Sequence, residues 1–226
     1  MSPRRVPVSR RDRPAKPPLS REGAVAVAMR IMREEGLARV TMRRLAAELD
    51  TGPASLYVYV ANMAELHGAI LDELLAGLDL PSGGGARWQE ELRQILCTYT
   101  ELLIGQPSLA RSVLTLRPSG PHYVRLVDTL LGLLRAGGAS VEQAAWGVDL
   151  LLQHVTATAA EQGARDEQVT AESEQYALVT ALREATAADH PHVAEAGAAL
   201  FSGTGPQRLS WMIDVLVAGI RTVPTP

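Results

Sequence analysis

The stretch 40–74 reads VTMRRLAAELDTGPASLYVYVANMAELHGAILDEL, and it decides the fold. Thr41 and Asn62 each stand directly before an apolar repeat of helical spacing, in the position of an N-cap. Residues 50–52 (Asp-Thr-Gly) favour a tight turn, and Pro53 can open the next helix because its missing N–H costs nothing there. The spacing therefore predicts two short helices joined by a three-residue turn, followed by a longer helix.

Helical periodicity continues on both sides of this stretch. Upstream, Ser20 occupies an N-cap position, apolar residues recur at i, i+3, i+4 and i+7 from Ala24, and Gly36 stands where a C-terminal cap belongs. Downstream, the apolar spacing predicts helices at about 87–104, 107–115, 121–136, 140–162, 167–188 and 206–222. Because a sustained alternation of apolar and polar residues occurs nowhere, we expect an all-α fold.

Composition and charge agree with a helical protein that has a basic N-terminal region. Hydrophobic residues make up 46% of the 226 residues and aromatic residues only 4%, which favours helices over strands. Residues 1–60 carry 12 Lys/Arg against 6 Asp/Glu, a net charge of +6, whereas the rest carries 10 against 19, a net charge of −9. A basic head on an acidic body is typical of a nucleic-acid contact region joined to another domain.

Several classes of protein are disfavoured by the sequence. The single Cys97 excludes an internal disulfide and a cysteine-based zinc site. Since no apolar run approaches the roughly 18 to 20 residues that span a bilayer, we expect no membrane partner and a cytoplasmic location. His190 and His192 lack further ligands nearby, so no metal site is expected. Without a nucleophile elbow or a phosphate-cradling glycine loop, neither an enzyme nor a cofactor is expected.

The two short helices and their turn have the design of a helix-turn-helix. The second helix of such a pair holds itself in place through apolar positions, here Leu56 and Val60, at i and i+4. The remaining side chains are then left near the side that enters a major groove: Pro53, Ala54, Ser55, Tyr57 and Tyr59. For both tyrosines, packing within the protein remains an alternative to contact with DNA.

The stretch 40–74 resembles the DNA-binding domain of the tetracycline-repressor (TetR) family. The resemblance rests on the Gly that ends the first helix, Thr-x-Arg at the second, Leu-Tyr in the third and Asn before the fourth. Further along, GPHYVRLVDTLLGLLRAGG, AAWGVDLLLQHVTATAAE and RLSWMIDVLVAGI resemble the C-terminal half of that family. Residues 1–19 contain five Pro and six Lys/Arg, which predicts a flexible basic arm. The resemblance then implies a helix-turn-helix domain over 20–65 and an effector-binding and dimerisation domain over 66–226.

The resemblance also implies roles for residues of the head. Thr41 matches a phosphate-binding position, and Arg43 matches one that reaches a guanine edge. The base-reading start of the recognition helix is matched by Pro53, Ala54 and Ser55, and phosphate-contacting aromatic positions by Tyr57 and Tyr59. Where the family commonly has Lys after the Asn, this chain has Met63, so a phosphate contact is lost. We hypothesise that the arginines of the arm replace it.

For the C-terminal half, the resemblance implies a dimer interface and a cavity for a small molecule. In a four-helix interface between two subunits, the helix over 140–162 and the terminal helix would contribute their apolar residues: Val141, Ala144, Ala145, Val148, Leu151, Leu152, Val155, Leu209, Met212, Ile213, Leu216 and Ile220. For some of them, packing in the core of the chain itself is the alternative. Candidate residues of the effector cavity are Trp88, Tyr99, Leu103, Leu116, Trp146, Leu150 and His154. Core packing is an alternative for His154 and Trp146, and the identity of the effector is not implied.

The sequence thus predicts a ligand-responsive transcriptional regulator. It would bind a palindromic DNA operator as a homodimer and be released from it by a small-molecule effector, because effector and DNA favour different states of the dimer. A repressor is favoured over an activator by the resemblance alone. The alternative is a helical adaptor whose DNA-binding head is vestigial, and Met63 favours it slightly.

Overall fold

The structure, a computed structural model, describes residues 19–81 and 85–226, so the expected arm over 1–19 lies almost wholly outside the described residues. Within them the regular structure is helical, with no strand, as expected for an all-α fold. The α-helices are α1 (Arg21–Glu35), α2 (Met42–Glu48), α3 (Pro53–Leu56), α4 (Met63–Leu75), α5 (Trp88–Ile104), α6 (Pro107–Val113), α7 (Pro121–Ala136), α8 (Val141–Glu167), α9 (Ala171–Glu184), α10 (Pro191–Ala196) and α11 (Gly205–Thr222). Short 3-10 turns at Leu37–Arg39 and Gly197–Phe201 complete them.

The N-terminal helices begin at the capping residues that the sequence predicts. The side chains of Ser20, Thr41 and Asn62 each accept a hydrogen bond from a backbone amide three residues on, at 3.0, 3.1 and 2.8 Å. The Glu65 carboxylate bonds the amide of Ala61 at 2.7 Å, one residue earlier than a standard capping box requires. Three first-turn amides are thereby satisfied, those of Gly23, Arg44 and Glu65, which fixes where α1, α2 and α4 start.

The head is a small bundle in which α1, α2, α3 and the first part of α4 share an apolar core. Ala28 and Ile31 of α1 are completely buried, as are, within a few per cent, Leu45 of α2 and Leu56 and Val60 around α3. The sequence predicts Leu56 and Val60 as the inward positions, and their burial confirms this. Helix α4 then leaves the head and packs against α6 and α7, so it connects the two halves.

The body is organised around the long helix α8, which packs against α5, α6, α7 and α11. Two glycines let α8 approach its neighbours closely. A Cβ added at Gly147 would lie 2.8 Å from Ile220 of α11, and one at Gly163 would lie 2.7 Å from Pro107 of α6. Both distances are shorter than side chains tolerate, so a larger residue at either place would force the helices apart.

The region after α8 differs from the sequence-based boundaries. Helix α8 extends to Glu167, five residues beyond the expected end, and α9 is correspondingly shorter. The segment 171–201, which the structure describes in full, contains no fully buried side chain. Among the described helices, none is both long enough and apolar enough to span a lipid bilayer.

Candidate nucleic-acid interface and internal cavity

The surface formed by α2, the turn and α3 is anchored to the core of the head on its inner side and open to solvent on its outer side. The amide of Thr51 donates to the carbonyl of Ala46 at 2.9 Å, which closes the turn onto the end of α2. Helix α3 is only four residues long, with Pro53 at its first turn, and buried Leu56 anchors it to the head. The start of α3 is thus presented to solvent on a rigid support, as insertion into a major groove requires.

All seven residues predicted to contact DNA lie exposed on this surface. Tyr57 is 53% exposed and Tyr59 36%, so the alternative that they are core residues does not apply. The full set is Thr41, Arg43, Pro53, Ala54, Ser55, Tyr57 and Tyr59. Their exposure leaves all seven accessible to a partner, and contact with DNA stays a prediction.

The two adjacent arginines of α2 differ in their partners. Arg44 forms ion pairs with Glu35 at 2.9 Å and Glu48 at 3.0 Å, and Arg30 joins the same network through Glu48. In the described part of the chain, no carboxylate forms an ion pair with Arg43, which is exposed. Among the described residues, the donors of the Arg43 guanidinium remain available for an outside acceptor, whereas Nη2 of Arg44 is already engaged by Glu35 and Glu48.

Two further residues of the head bear on this surface. Val58, between the two tyrosines, is 79% exposed, and sequence reasoning missed it because an apolar residue in a helical stretch is usually taken for core. Met63 is partly buried against the core of the head. Its thioether therefore packs in the position where the resemblance leads one to expect a phosphate-binding lysine.

A second exposed apolar surface lies on the body, along α8 and α11. Trp146 is 60% exposed and Trp211 is 69% exposed, while smaller apolar side chains extend the same two helices. The surface, here called the α8/α11 face, consists of Val141, Trp146, Leu150, Trp211 and Val215. An exposed set containing two tryptophans is unusual for a monomer and typical of an interface.

Most of the apolar residues that the sequence suggests for the dimer interface belong instead to the core of the chain itself. Buried residues of this group are Ala144, Val148, Leu151, Leu152, Val155, Ile213 and Ile220. Helix α8 is covered by four neighbours, so its more continuous apolar stripe faces inward and a second, tryptophan-bearing stripe faces outward. The structure thus corrects which residues of α8 and α11 are available to a partner.

A half-open cavity of about 110 Å³ lies between α5, α7, α8 and the segment that joins α6 to α7. Its wall combines apolar side chains with two phenols, a guanidinium, a carboxylate, an amide and a hydroxyl. The lining residues are Tyr99, Val113, Leu114, Leu116, Arg117, Pro118, Tyr123, Asp149, Leu152, Gln153 and Thr156.

Two of the seven predicted effector-binding residues, Tyr99 and Leu116, line this cavity. Leu103 is buried in the core outside its wall. Trp88 packs against the end of α7, where a Cβ at Gly137 would lie 2.7 Å from its ring, and Arg221 lies 5.3 Å from the ring centre.

The remaining three predicted residues lie on α8 outside the cavity. Trp146, Leu150 and His154 are exposed. The structure therefore does not bring the seven together, and it adds polar residues that periodicity alone could not single out.

Burial determines the protonation state of the two phenols in the cavity wall. The hydroxyls of Tyr99 and Thr156 are 3.1 Å apart and both residues are buried. Burial raises the pKa of Tyr99 to about 12, although the hydrogen bond with Thr156 works in the opposite direction. Burial, together with the charge of Asp149, also raises the pKa of Tyr123. Both phenols therefore stay protonated near neutral pH and can donate a hydrogen bond to a guest molecule.

Comparison with known proteins identifies the family. Residues 24–70 match the family described as bacterial regulatory proteins, tetR family. Residues 80–223, well over half of the chain, match the family described as tetracyclin repressor-like, C-terminal domain. The chain belongs to the tetracycline-repressor (TetR) family. The resemblance seen in the sequence is thereby confirmed for both halves.

Solved structures of TetR-family proteins share the whole architecture. SCO7704, described as a transcription regulator from Streptomyces coelicolor, is 54% identical with a TM-score of 0.78, over 93% of this chain and 98% of that chain. ActR of Streptomyces coelicolor in complex with actinorhodin is 32% identical with a TM-score of 0.78, over 90% and 95%.

A third solved structure is more distant. BioQ, known from Mycobacterium smegmatis and also solved with its natural double-stranded DNA operator, is 25% identical in that complex. Its TM-score is 0.55, over 72% of this chain and 97% of that chain. Among curated relatives the match is partial: the chain spans about half their length, 52% and 48% for two of them.

Proposed function

We propose that this TetR-family chain is a ligand-responsive transcriptional repressor that binds a palindromic DNA operator as a homodimer. The observation that carries the proposal is the open helix-turn-helix surface, on which Arg43 is exposed and forms no ion pair within the described residues. A guanidinium with free donors beside the start of a recognition helix fits bidentate recognition of guanine. The operator-bound structure of BioQ supports the same use of the fold.

Dimer formation is supported by the α8/α11 face. One helix-turn-helix offers too few contacts for tight, specific binding, whereas two heads related by a two-fold axis read two half-sites. A two-fold axis pairs the same patch on both subunits, so a self-complementary apolar face is what such a dimer needs. Trp146 and Trp211 provide the large anchors found at the centre of stable interfaces.

Control by a small molecule is supported by the cavity. Its volume of about 110 Å³ is smaller than the 300 Å³ or more of typical ligand pockets, so a drug-sized effector would have to widen it. That requirement gives the effector differential affinity for two states of the body, which is the thermodynamic condition for release of DNA. ActR, solved in complex with actinorhodin, supports the binding of a small molecule by a protein of this fold. A regulator of this kind acts on DNA in the cytoplasm.

The experiment is selection of bound duplexes from a random-sequence library by the purified full chain at moderate salt. We expect enrichment of a two-fold symmetric site whose half-site centres are separated by about one helical turn or a multiple of it. The enriched duplex then serves as the probe in a screen for small molecules that release it. Absence of enrichment would overturn the proposal and favour the adaptor with a vestigial head.

A further inference from the structure

A buried carboxylate connects the helix that carries the head to the wall of the cavity. Asp72, near the end of α4, is 7% exposed, and its Oδ1 accepts a hydrogen bond of 2.8 Å from the amide of Tyr123 on α7. Helix α7 begins with Gly120 and Pro121, which offer neither a capping side chain nor a first-turn amide. Asp72 therefore caps α7 from another helix, where the carboxylate also meets the positive end of the helix dipole.

Gly120 is required for this arrangement. A Cβ at that position would overlap the carboxyl group of Asp72. The backbone of Gly120 does not need the left-handed region, with φ of −72°, so its missing side chain makes room for the carboxylate instead of relieving the chain. Asp72 and Gly120 are thus fitted to one another across the boundary between α4 and α7.

Tyr123 takes part both in the contact with α4 and in the wall of the cavity. Its amide donates to Asp72, while the same residue lines the cavity. The segment 116–118, which leads into α7, also has two sides: it lines the cavity and a polar groove of about 380 Å³ against α4. A guest that displaces Tyr123 or this segment must either move α4 with it or break the bond to Asp72.

Helix α4 passes such a displacement directly to the head. Its N-cap, Asn62, lies two residues after Val60, which anchors the segment behind the recognition helix, and α4 packs against α1. His67 of α4, within 3.1 Å of the Ser112 hydroxyl, gives α4 a second side-chain contact with the body, on α6. Of these two hydrogen-bonding contacts, the one through Asp72 ends on a residue that lines the cavity, whereas Ser112 lies outside its wall.

We propose that Asp72 is a positioning residue that couples occupancy of the cavity to the orientation of the DNA-binding head, with Gly120 as its matched partner. The proposal rests on the proposed function, because it assigns the route by which that function is regulated. The bond between Asp72 and Tyr123 is intact in the state described here. The bond breaks when the start of α7 moves away from α4. The contact between α4 and α7 therefore has two states, bonded and broken, and both the guest in the cavity and the DNA at the head shift the balance between them.

Reciprocity makes the proposal testable without a known effector. If a guest in the cavity changes the affinity of the head for operator, then bound operator must change the affinity of the cavity for the guest by the same factor. The probe is the duplex enriched by selection from the random library, and the readout is hydrogen exchange of the full chain with and without it. In the unmodified chain we expect operator to slow exchange over 41–60 by direct contact. Over 119–126 we expect a remote slowing of roughly fivefold or more, the lower end of usual couplings.

Asp72→Ala should abolish the remote slowing over 119–126 while the direct slowing over 41–60 persists. Asp72→Asn, whose amide oxygen still accepts from Tyr123, should retain part of it. Glu73→Ala is the matched control, since Glu73 is the exposed neighbour on the same helix. Gly120→Ala is a second disrupting variant, for use if Asp72→Ala fails to fold. It keeps the carboxylate of Asp72 but places a methyl group where that carboxylate now lies. It should also abolish the remote slowing.

The same remote slowing in Asp72→Ala or Gly120→Ala as in the unmodified chain would overturn the proposal, and so would its absence from the unmodified chain. A purely structural Asp72 would lower the stability of the variants and leave the remote slowing in place. Loss of the direct slowing over 41–60 in the unmodified chain would instead count against the proposed function, so the two failures are distinguishable.

Discussion

The recognition surface of the head and the α8/α11 face of the body both expose aromatic side chains, and they differ in what surrounds them. Tyr57 and Tyr59 of the head are exposed together with Thr41 and Arg43, and Arg43 forms no ion pair within the described ranges. This region has a net charge of +6 over residues 1–60. The tryptophans of the α8/α11 face belong to the remainder of the chain, whose net charge is −9. Exposure alone indicates a partner, and the neighbouring charges indicate which partner.

The difference follows from the chemistry of the two partners. A polyanion is bound through cations and hydrogen-bond donors, with aromatic rings adding contact area, so the head must keep donors free. A second copy of an acidic body would be repelled by its own charge unless apolar area dominates the contact. Phenols therefore suit the first surface, and indoles flanked by aliphatic side chains suit the second.

The largest expected effect tests the α8/α11 face. Replacing Trp146 and Trp211 together by Glu should raise the dimer dissociation constant by roughly 100-fold or more, because interface tryptophans commonly contribute about 2–4 kcal/mol each. Both side chains are exposed in one chain, so the monomer should keep its fold. Sedimentation equilibrium measures the dissociation constant, and circular dichroism checks the helix content.

The matched control for this pair is Val124→Glu, at an exposed apolar residue of α7. It adds the same charge to the body at a position outside the α8/α11 face and should leave association unchanged. If the double variant associates as tightly as the unmodified chain, the two exposed surfaces do not differ in the way described.

The next effect tests the head through its two adjacent arginines. Arg43→Ala should weaken operator binding by about 1–3 kcal/mol, roughly 5- to 150-fold, and relax the base preference at one position of each half-site. Arg44→Ala removes the same charge from the next residue, whose Nη2 is already paired with Glu35 and Glu48. Its effect on binding should stay within about threefold, since exposed ion pairs contribute little. Equal losses in fluorescence-anisotropy titrations of both variants would contradict the assignment.

These two surfaces also show how far sequence reasoning reaches. The helix starts at Ser20, Thr41 and Asn62 could be predicted because capping is local, and the inward pair Leu56 and Val60 because helical spacing fixes which side is buried. Local rules of this kind sufficed for the head, which is small and built from short helices.

The body could be predicted less well because α8 has two apolar stripes. Periodicity shows that Leu151 and Trp146 lie on different sides of the helix, but which side meets four neighbouring helices depends on contacts distant in sequence. The cavity was missed in part for the same reason. Arg117 and Asp149 are ordinary surface residues in the sequence, and only the fold brings them to one wall.

An intermediate effect tests the buried pair of hydroxyls formed by Tyr99 and Thr156. Thr156→Val removes the partner of the buried Tyr99 hydroxyl and should lower the free energy of unfolding by about 1–3 kcal/mol. Tyr99→Phe in addition should restore part of that loss, because an apolar pair leaves no unsatisfied donor. Urea denaturation of the single and double variants measures this. Additive losses would show that the two hydroxyls are not coupled.

The smallest expected effect concerns pH and the helix that joins the two regions. Burial lowers the pKa of His67, so the unfolded chain takes up the proton before the folded chain does. This histidine therefore costs no stability above its unfolded pKa of about 6.5, and stability is lost as the pH falls below it. His67→Gln should flatten the pH dependence of urea denaturation between about pH 7 and 5. His192→Gln, at an exposed histidine of α10, should leave it unchanged.

The most direct test of the contrast between the two surfaces is native mass spectrometry of the complex with the selected operator duplex. We expect two chains per duplex. For the variant with Glu at 146 and 211 we expect occupancy by single chains, with the affinity for an isolated half-site retained. A tight complex of one chain per duplex, or an undiminished two-chain complex of the variant, would contradict the assignment of one exposed aromatic surface to DNA and the other to a second copy.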